Sequence, residues 1–422
     1  MIQGQEQVTL AVEVVSDPLQ HPEVRLRAQN VIDQVKAIAS GSHDDGDAVL
    51  GPAQAEQLLS LCASLISSQA STKAYLEKKL FGISVLQQLV TQQWTDLTED
   101  FKQRTSLFIV ECCRSLCVTP EASNYAIKSK LSVLFADMAR YMATDPANAG
   151  AAAQPNGQSG AQSHGIGPGG GDFDASGNAI RTYVLPEITT WPGTRGIELA
   201  CLVLRWLPEG KDGAIVEGLP MPRKRVLLRV LHASLPDMIA FAFGALEKYY
   251  AALCQVEATR SQKEQELQLR QEYKHVVEAA LSMALSYAEW APITLLHQSG
   301  IINACGILMR DKRFRDVACD VLRQQAACKL KPIFVTDVNG GKHQQQQCLQ
   351  QVSSAASTQA EVQQAKAAAR AMFEAFAGPS QEYLGTPAEY ASLGHENVEF
   401  GHLLCETMVI WGKNHVKLLD GK

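Results

Sequence analysis

Alternating strand patterns are almost absent from this chain of 422 residues, and aromatic residues make up only 6% of it. Both scarcities argue against a sheet-based fold, since β-branched and aromatic residues in period-two runs are what strands are made of. The eleven cysteines include no Cys-x-x-Cys pair. That excludes the zinc and dithiol sites recognised by such spacing, and leaves Cys62, Cys112, Cys113, Cys201 and Cys254 as small apolar residues inside helical patterns, in a reducing compartment. No uninterrupted run of 18 apolar residues occurs. The closest approach, Met238 to Leu246, is flanked by Arg229, Asp237 and Glu247, so no membrane span is expected. The start, MIQGQEQVTL, has no basic region followed by an apolar one, and the expectation is a soluble, intracellular chain. Nor is there an excess of positive charge: 38 basic and 44 acidic residues give a formal charge of -6, which excludes a surface that grips nucleic acid everywhere.

Signatures of catalysis are missing as well. There is no Gly-x-Ser-x-Gly, no Walker sequence and no His-Glu-x-x-His, and the ten histidines are scattered over different segments. The glycine-rich stretch GIGPGGGDFDASG follows no strand and precedes no Gly-Lys-Ser/Thr, so it is not read as a phosphate loop. His232 and His275 lie in helical patterns and are read as packing or surface residues. Neither an enzyme nor a cofactor is expected.

What is abundant is helix. Apolar residues reach 46%, and they recur with the helical period. In FGISVLQQLVTQQW, Phe81, Val85, Leu89 and Trp94 form one stripe that Leu86 and Val90 widen. Reading onward gives pairs of helices joined by short turns: Gln7–Ser16 with Pro22–Ala39, Ala53–Ser68 with Thr72–Gln93, Leu97–Val118 with Ser123–Ala143, and Thr182–Ile188 with Arg195–Leu207. A long helix from Arg223 to Val256, kinked at Pro236, precedes Ser261–Glu289. Ile293–Met309, Phe314–Ala327, Glu361–Ala377 and Asn397–Leu419 follow. Pro22 suits a first helical turn, Ser71 or Thr72 an N-cap, and Glu99 with Asp100 the positive end of a helix. Trp94, Trp206, Trp290 and Trp411 are assigned to packing between helices.

Roughly seven pairs at a spacing of about 40–60 residues are the mark of HEAT-type repeats, in which each hairpin buries its face on the next. The fold class is therefore all-α, a solenoid of helical hairpins. Its expected organisation is hairpins over 1–143, a disordered Ala/Gly-rich insertion over 144–179, further hairpins over 180–330, a Gln-rich loop over 331–358 and a further hairpin over 359–422.

Several segments carry a resemblance that periodicity alone could not supply. VRLRAQNVIDQVKA (Val24 to Ala37), FGISVLQQLVTQQW with LTEDFKQR, and NYAIKSKLSVLFADMAR (Asn124 to Arg140) resemble the amino-terminal repeats of the importin-β (karyopherin) superfamily, closest to its exportin-5/HASTY branch. VLPEITT (Val184 to Thr190), AALSMALSYAEWAPITLL (Ala279 to Leu296), IINACGILMRDKRFRDVACDVL (Ile301 to Leu322) and FGHLLCETMVIWGKNHVKLL (Phe400 to Leu419) follow in the family's order. The resemblance covers an amino-terminal portion only, because members of that family are more than twice as long. A Trp-Pro pair would be expected near the end of the third hairpin, after Met142, where the Ala/Gly-rich stretch begins instead.

The resemblance implies a nuclear export receptor shuttling between nucleus and cytoplasm. Its partners would be Ran-GTP, nuclear pore proteins, and cargo in the form of small structured or double-stranded RNA, such as microRNA precursors and transfer RNA, or protein. By analogy the second helix of each early pair faces inward, and Arg25, Arg27, Lys78, Lys79, Lys128 and Lys130 would contact Ran. Two basic groups, Arg223, Lys224, Arg225 with Arg229, and Arg310, Lys312, Arg313, Arg315, would touch RNA phosphates. The competing reading, a HEAT-repeat scaffold for a multiprotein complex without Ran dependence, shares every bulk feature but does not require the early-repeat segments.

Overall fold

The computed structural model describes residues 4–41, 50–69, 74–119, 124–144, 179–208, 221–259, 263–328, 355–384 and 394–419. The expected insertion and the Gln-rich loop lie, for the most part, outside them. Among the described residues there is no strand, and the chain is an all-α, HEAT-type stack of helical hairpins. It divides into two compact units, one of residues 1–238 with 262–279 and one of residues 239–261 with 280–422.

In the first unit the hairpins are α1 (Gln5–Ser16) with α2 (Pro22–Ser40), α3 (Pro52–Ile66) with α4 (Tyr75–Gln93), and α5 (Glu99–Val118) with α6 (Tyr125–Thr144). Their ends follow local chemistry. Pro22 and Pro52 begin helices where the missing N–H costs nothing. Gly41 closes α2 at φ 72°, donating its N–H to Ala37 and Ile38 carbonyls. Thr98 caps α5 by accepting from the Phe101 N–H at 3.4 Å. The expected caps of α4, Ser71 and Thr72, lie outside the described residues.

A π-helical turn at Ile180–Val184 then leads into α7 (Leu185–Thr189), followed by α8 (Gly193–Trp206). Pro186 has no N–H to give the Thr182 carbonyl, which explains why the i to i−4 ladder is abandoned there. A Trp-Pro pair does occur, but as Trp191–Pro192, beyond the Ala/Gly-rich stretch. Trp191 packs edge-on against Phe135 of α6 at 5.4 Å.

The second helices form the spine of this unit. α2, α4, α6 and α8 pack successively on one another, and the contacts require them to run parallel. Tyr141 Oη donates to the Thr91 carbonyl at 2.6 Å and Gln87 Nε2 to Asp137 at 2.7 Å, each joining residues at equal depth in α4 and α6. Lys128 and Glu198 do the same for α6 and α8. Val85, Leu86, Leu89 and Val90 of α4 and Leu134, Phe135 and Met138 of α6 are all fully buried.

Two long helices, α9 (Met221–Ala258) and α10 (Glu264–Ala288), pass from one unit into the other. By length and composition α9 is apolar enough to cross a membrane, with 44% of its most apolar 18-residue window buried within the protein. That composition is also what the core helix of a helical stack requires.

The second unit contains α11 (Ile293–Gln298), α12 (Ile301–Leu308), α13 (Arg315–Ala327), α14 (Ala355–Tyr383) and α15 (His395–Leu419). Two expectations need correction here. The single helix Ile293–Met309 is broken at Ser299–Gly300, where Gly300 takes φ 88° and a Cβ would lie 2.8 Å from the Phe243 ring. Conversely, α14 does not stop at Ala377 but runs through Gly378 and Pro379 to Tyr383, whose ring packs edge-on against Phe400 at 4.9 Å.

Candidate functional site

No group of three His, Cys, Asp or Glu side chains that could hold a metal exists among the described residues. The cysteines there are free thiols rather than bridges. Burial pushes Cys62, Cys112 and Cys305 up to about 12, far from nucleophilic use at neutral pH. What the structure offers is surface.

The six residues read as Ran contacts fall in the first two turns of α2, α4 and α6, and the parallel arrangement brings those turns to one edge of the first unit. Glu13 stands near the end of α1, and its ion pair with Lys78 fixes the start of α4 beside the start of α2. Burial then divides the six. Arg25, Arg27 and Lys130 are exposed and Lys79 is half-buried. Lys78 is 4% and Lys128 3% exposed, paired with Glu13 and with Glu198. These two are corrected from partner contacts to packing residues. An ammonium inside a stack needs a carboxylate to offset its desolvation, and each has found one on the neighbouring hairpin.

The spine is otherwise closed. Along α4 only Glu77 and Gln92 are exposed, and along α6 only Tyr125, Ala126 and Lys130. Further up the same interface Arg140 pairs with Asp137 and donates to the Trp206 carbonyl at 2.6 Å. Anything that meets these two helices meets chiefly their first turns.

The residues read as RNA contacts do not form one patch. Arg223, Lys224, Arg225 and Arg229 lie on the first turns of α9, in the part that belongs to the first unit, with Arg225 and Arg229 exposed and the others half-buried. Among the described residues no acidic side chain stands in that first turn, where the positive end of the helix adds to the cations. Arg310, Lys312, Arg313 and Arg315 belong to the second unit. Arg310 and Lys312 are exposed. Arg313 is held between Asp311 (Nη2 to Oδ2, 2.6 Å) and Glu257 (Nη2 to Oε2, 3.1 Å), and these hydrogen bonds raise its pKa.

Arg315 is corrected outright. It is 3% exposed, donates to Asn397 Oδ1 at 2.7 Å and to the Glu396 carbonyl at 2.8 Å, and lies over the rings of Tyr383 and Phe400 at 5.5 and 5.0 Å. It ties α13 to the last hairpin. Of the tryptophans, Trp94 and Trp411 are buried in packing, and Trp206 and Trp290 are half-buried.

Residues 183–322, from the π turn through α13 to Leu322, match the family described as exportin 1-like protein. Over these residues the chain is exportin-like. Protein HASTY 1 of Arabidopsis thaliana is 35% identical over 127 residues, which is 30% of this chain and 10% of that protein. The matched stretch has residues in both units: it includes Glu187 of the Arg114 pair and the Arg195–Glu272 pair of the first, and the Arg313 and Arg315 clusters of the second. It includes every residue of the second basic group and all of the first.

Proposed function

We propose that this exportin-like chain is part of a nuclear export receptor that shuttles between nucleus and cytoplasm, binding Ran in its GTP form and carrying small structured RNA or protein cargo past nuclear pore proteins. The observation that carries the reading is the exportin 1-like match over 183–322, set behind three hairpins whose parallel second helices offer one common edge. Within it, Arg25, Arg27, Lys79 and Lys130 are the proposed Ran contacts. Arg223, Lys224, Arg225 and Arg229 on α9, with Arg310, Lys312 and Arg313 in the second unit, are the proposed contacts to RNA phosphates. Backbone charge suffices for such cargo, because double-stranded RNA is recognised largely by shape, phosphate and 2′-hydroxyl contacts. Ran and cargo that favour the same arrangement of hairpins raise each other's affinity by the same factor, with no covalent step.

The test is retention of Ran on the immobilised chain. Ran loaded with a non-hydrolysable GTP analogue should be retained and Ran-GDP not, and the double variant R25E/R27E should weaken the first without lowering the melting temperature. Equal retention of both nucleotide states, or of neither, rejects the proposal in favour of a scaffold that works without Ran.

A further inference from the structure

The two layers of the first unit are joined in different ways. Along the spine, α2, α4, α6 and α8 pack successively on one another, and the pairs Lys128–Glu198 and Gln87–Asp137 are buried there. The first helices of successive hairpins, α1, α3 and α5, approach one another at few points. In the second unit the corresponding helices α12 and α14 do pack on each other, so the gap belongs to the early hairpins.

Charged bridges span it. Arg104 of α5 grips Glu56 of α3 with both ends of its guanidinium (Nη1 to Oε2, 3.0 Å), while Asp100 holds Nε at 3.0 Å. One hairpin on, Arg114 of α5 grips Glu187 of α7 through Nε at 2.8 Å and Nη2 at 2.7 Å. Both arginines are about half exposed, at 46% and 48%.

We infer that these two bridges are latches on a fan: successive hairpins turn about the tightly packed spine, and Arg104–Glu56 and Arg114–Glu187 set how far their first helices open. Solvent chooses between the two kinds of joint. Salt shortens the Debye length from about 10 Å at 0.1 M to about 3 Å at 1 M and weakens exposed pairs, whereas pairs inside the spine are screened much less. Ionic strength, or a charged partner competing for either arginine, would open the outer layer and leave the hinge intact.

The test compares two distances in the full chain, each between nitroxides on non-natural residues and read by double electron–electron resonance. One pair, at positions 57 and 103, spans α3 and α5; the other, at 77 and 130, spans α4 and α6. Raising NaCl from 0.1 to 1 M, or introducing E56Q/R114Q at low salt, should lengthen and broaden the outer distribution and leave the inner one unmoved. An outer distance that stays fixed, or an inner one that changes equally, overturns the inference. Both substituted side chains are exposed, and an unchanged circular dichroism melting curve would establish that the variant folds.

Discussion

At the scale of single residues, the buried ions were the readings most in need of correction, and the signal that would have found them was present. Lys78 stands in phase with Gly82, Val85 and Leu89, Lys128 with Leu131 and Phe135, and Arg315 with Ala318, Cys319 and Leu322, all buried. A cation on the apolar stripe of a helix is inside whatever its type, and what remains illegible is the carboxylate that meets it, 70 residues away for Lys128. Removing one partner should therefore cost far more than removing both. Lys128→Met leaves the Glu198 carboxylate buried alone and should cost about 3–5 kcal/mol, with the double variant K128M/E198L recovering most of it; urea unfolding at pH 7 measures both. A second residue gives a pH dependence. His415 is fully buried, and its Nε2–H donates to the Ala326 carbonyl at 3.1 Å. Burial lowers its pKa, with the backbone hydrogen bonds pulling partly the other way. A lowered folded-state pKa means that the unfolded chain binds the proton more readily, so the stabilisation is whole above about 6.5, the unfolded value, and fades as pH falls through the folded one. Melting temperatures taken from pH 7 to 5 should fall less steeply in His415→Gln than in the parent.

At the scale of elements, helix existence and hairpin pairing were legible because the apolar stripe repeats every 3.6 residues and Pro, Gly and Thr mark the ends. Boundaries missed by a few residues where no cap was on display. The break at Gly300 had a signal, since the polar His297 and Gln298 lead into the turn dipeptide Ser299-Gly300; what only the packing shows is the close approach of Phe243, 57 positions earlier, which leaves no room for a side chain on the bend. Gly300→Ala combines a left-handed residue, about 1–2 kcal/mol, with a Cβ pressed on a rigid ring, about 1–3 kcal/mol. A melting curve clearly below that of the parent is expected, and an unchanged one would mean that α11 and α12 can bend without glycine.

At the scale of the whole molecule, the low-complexity stretch does not interrupt the stack. Trp191 on Phe135, Lys128 with Glu198, Arg114 with Glu187, and Arg195 Nη1 on the Thr119 carbonyl at 3.0 Å all splice α7 and α8 onto the third hairpin. Thr144 and Ala179, the described residues at either side, are both buried. Helices, their pairing into hairpins, the all-α solenoid class and the exportin-like character were all readable from the order of residues alone, because each is written in local periodicity, turn chemistry or the succession of segments. Which basic side chains lie inside and which outside, and which layer of the early hairpins is sealed, emerged from the packing: both depend on partners distant in the chain, whose contact is fixed by how one hairpin seats on the next.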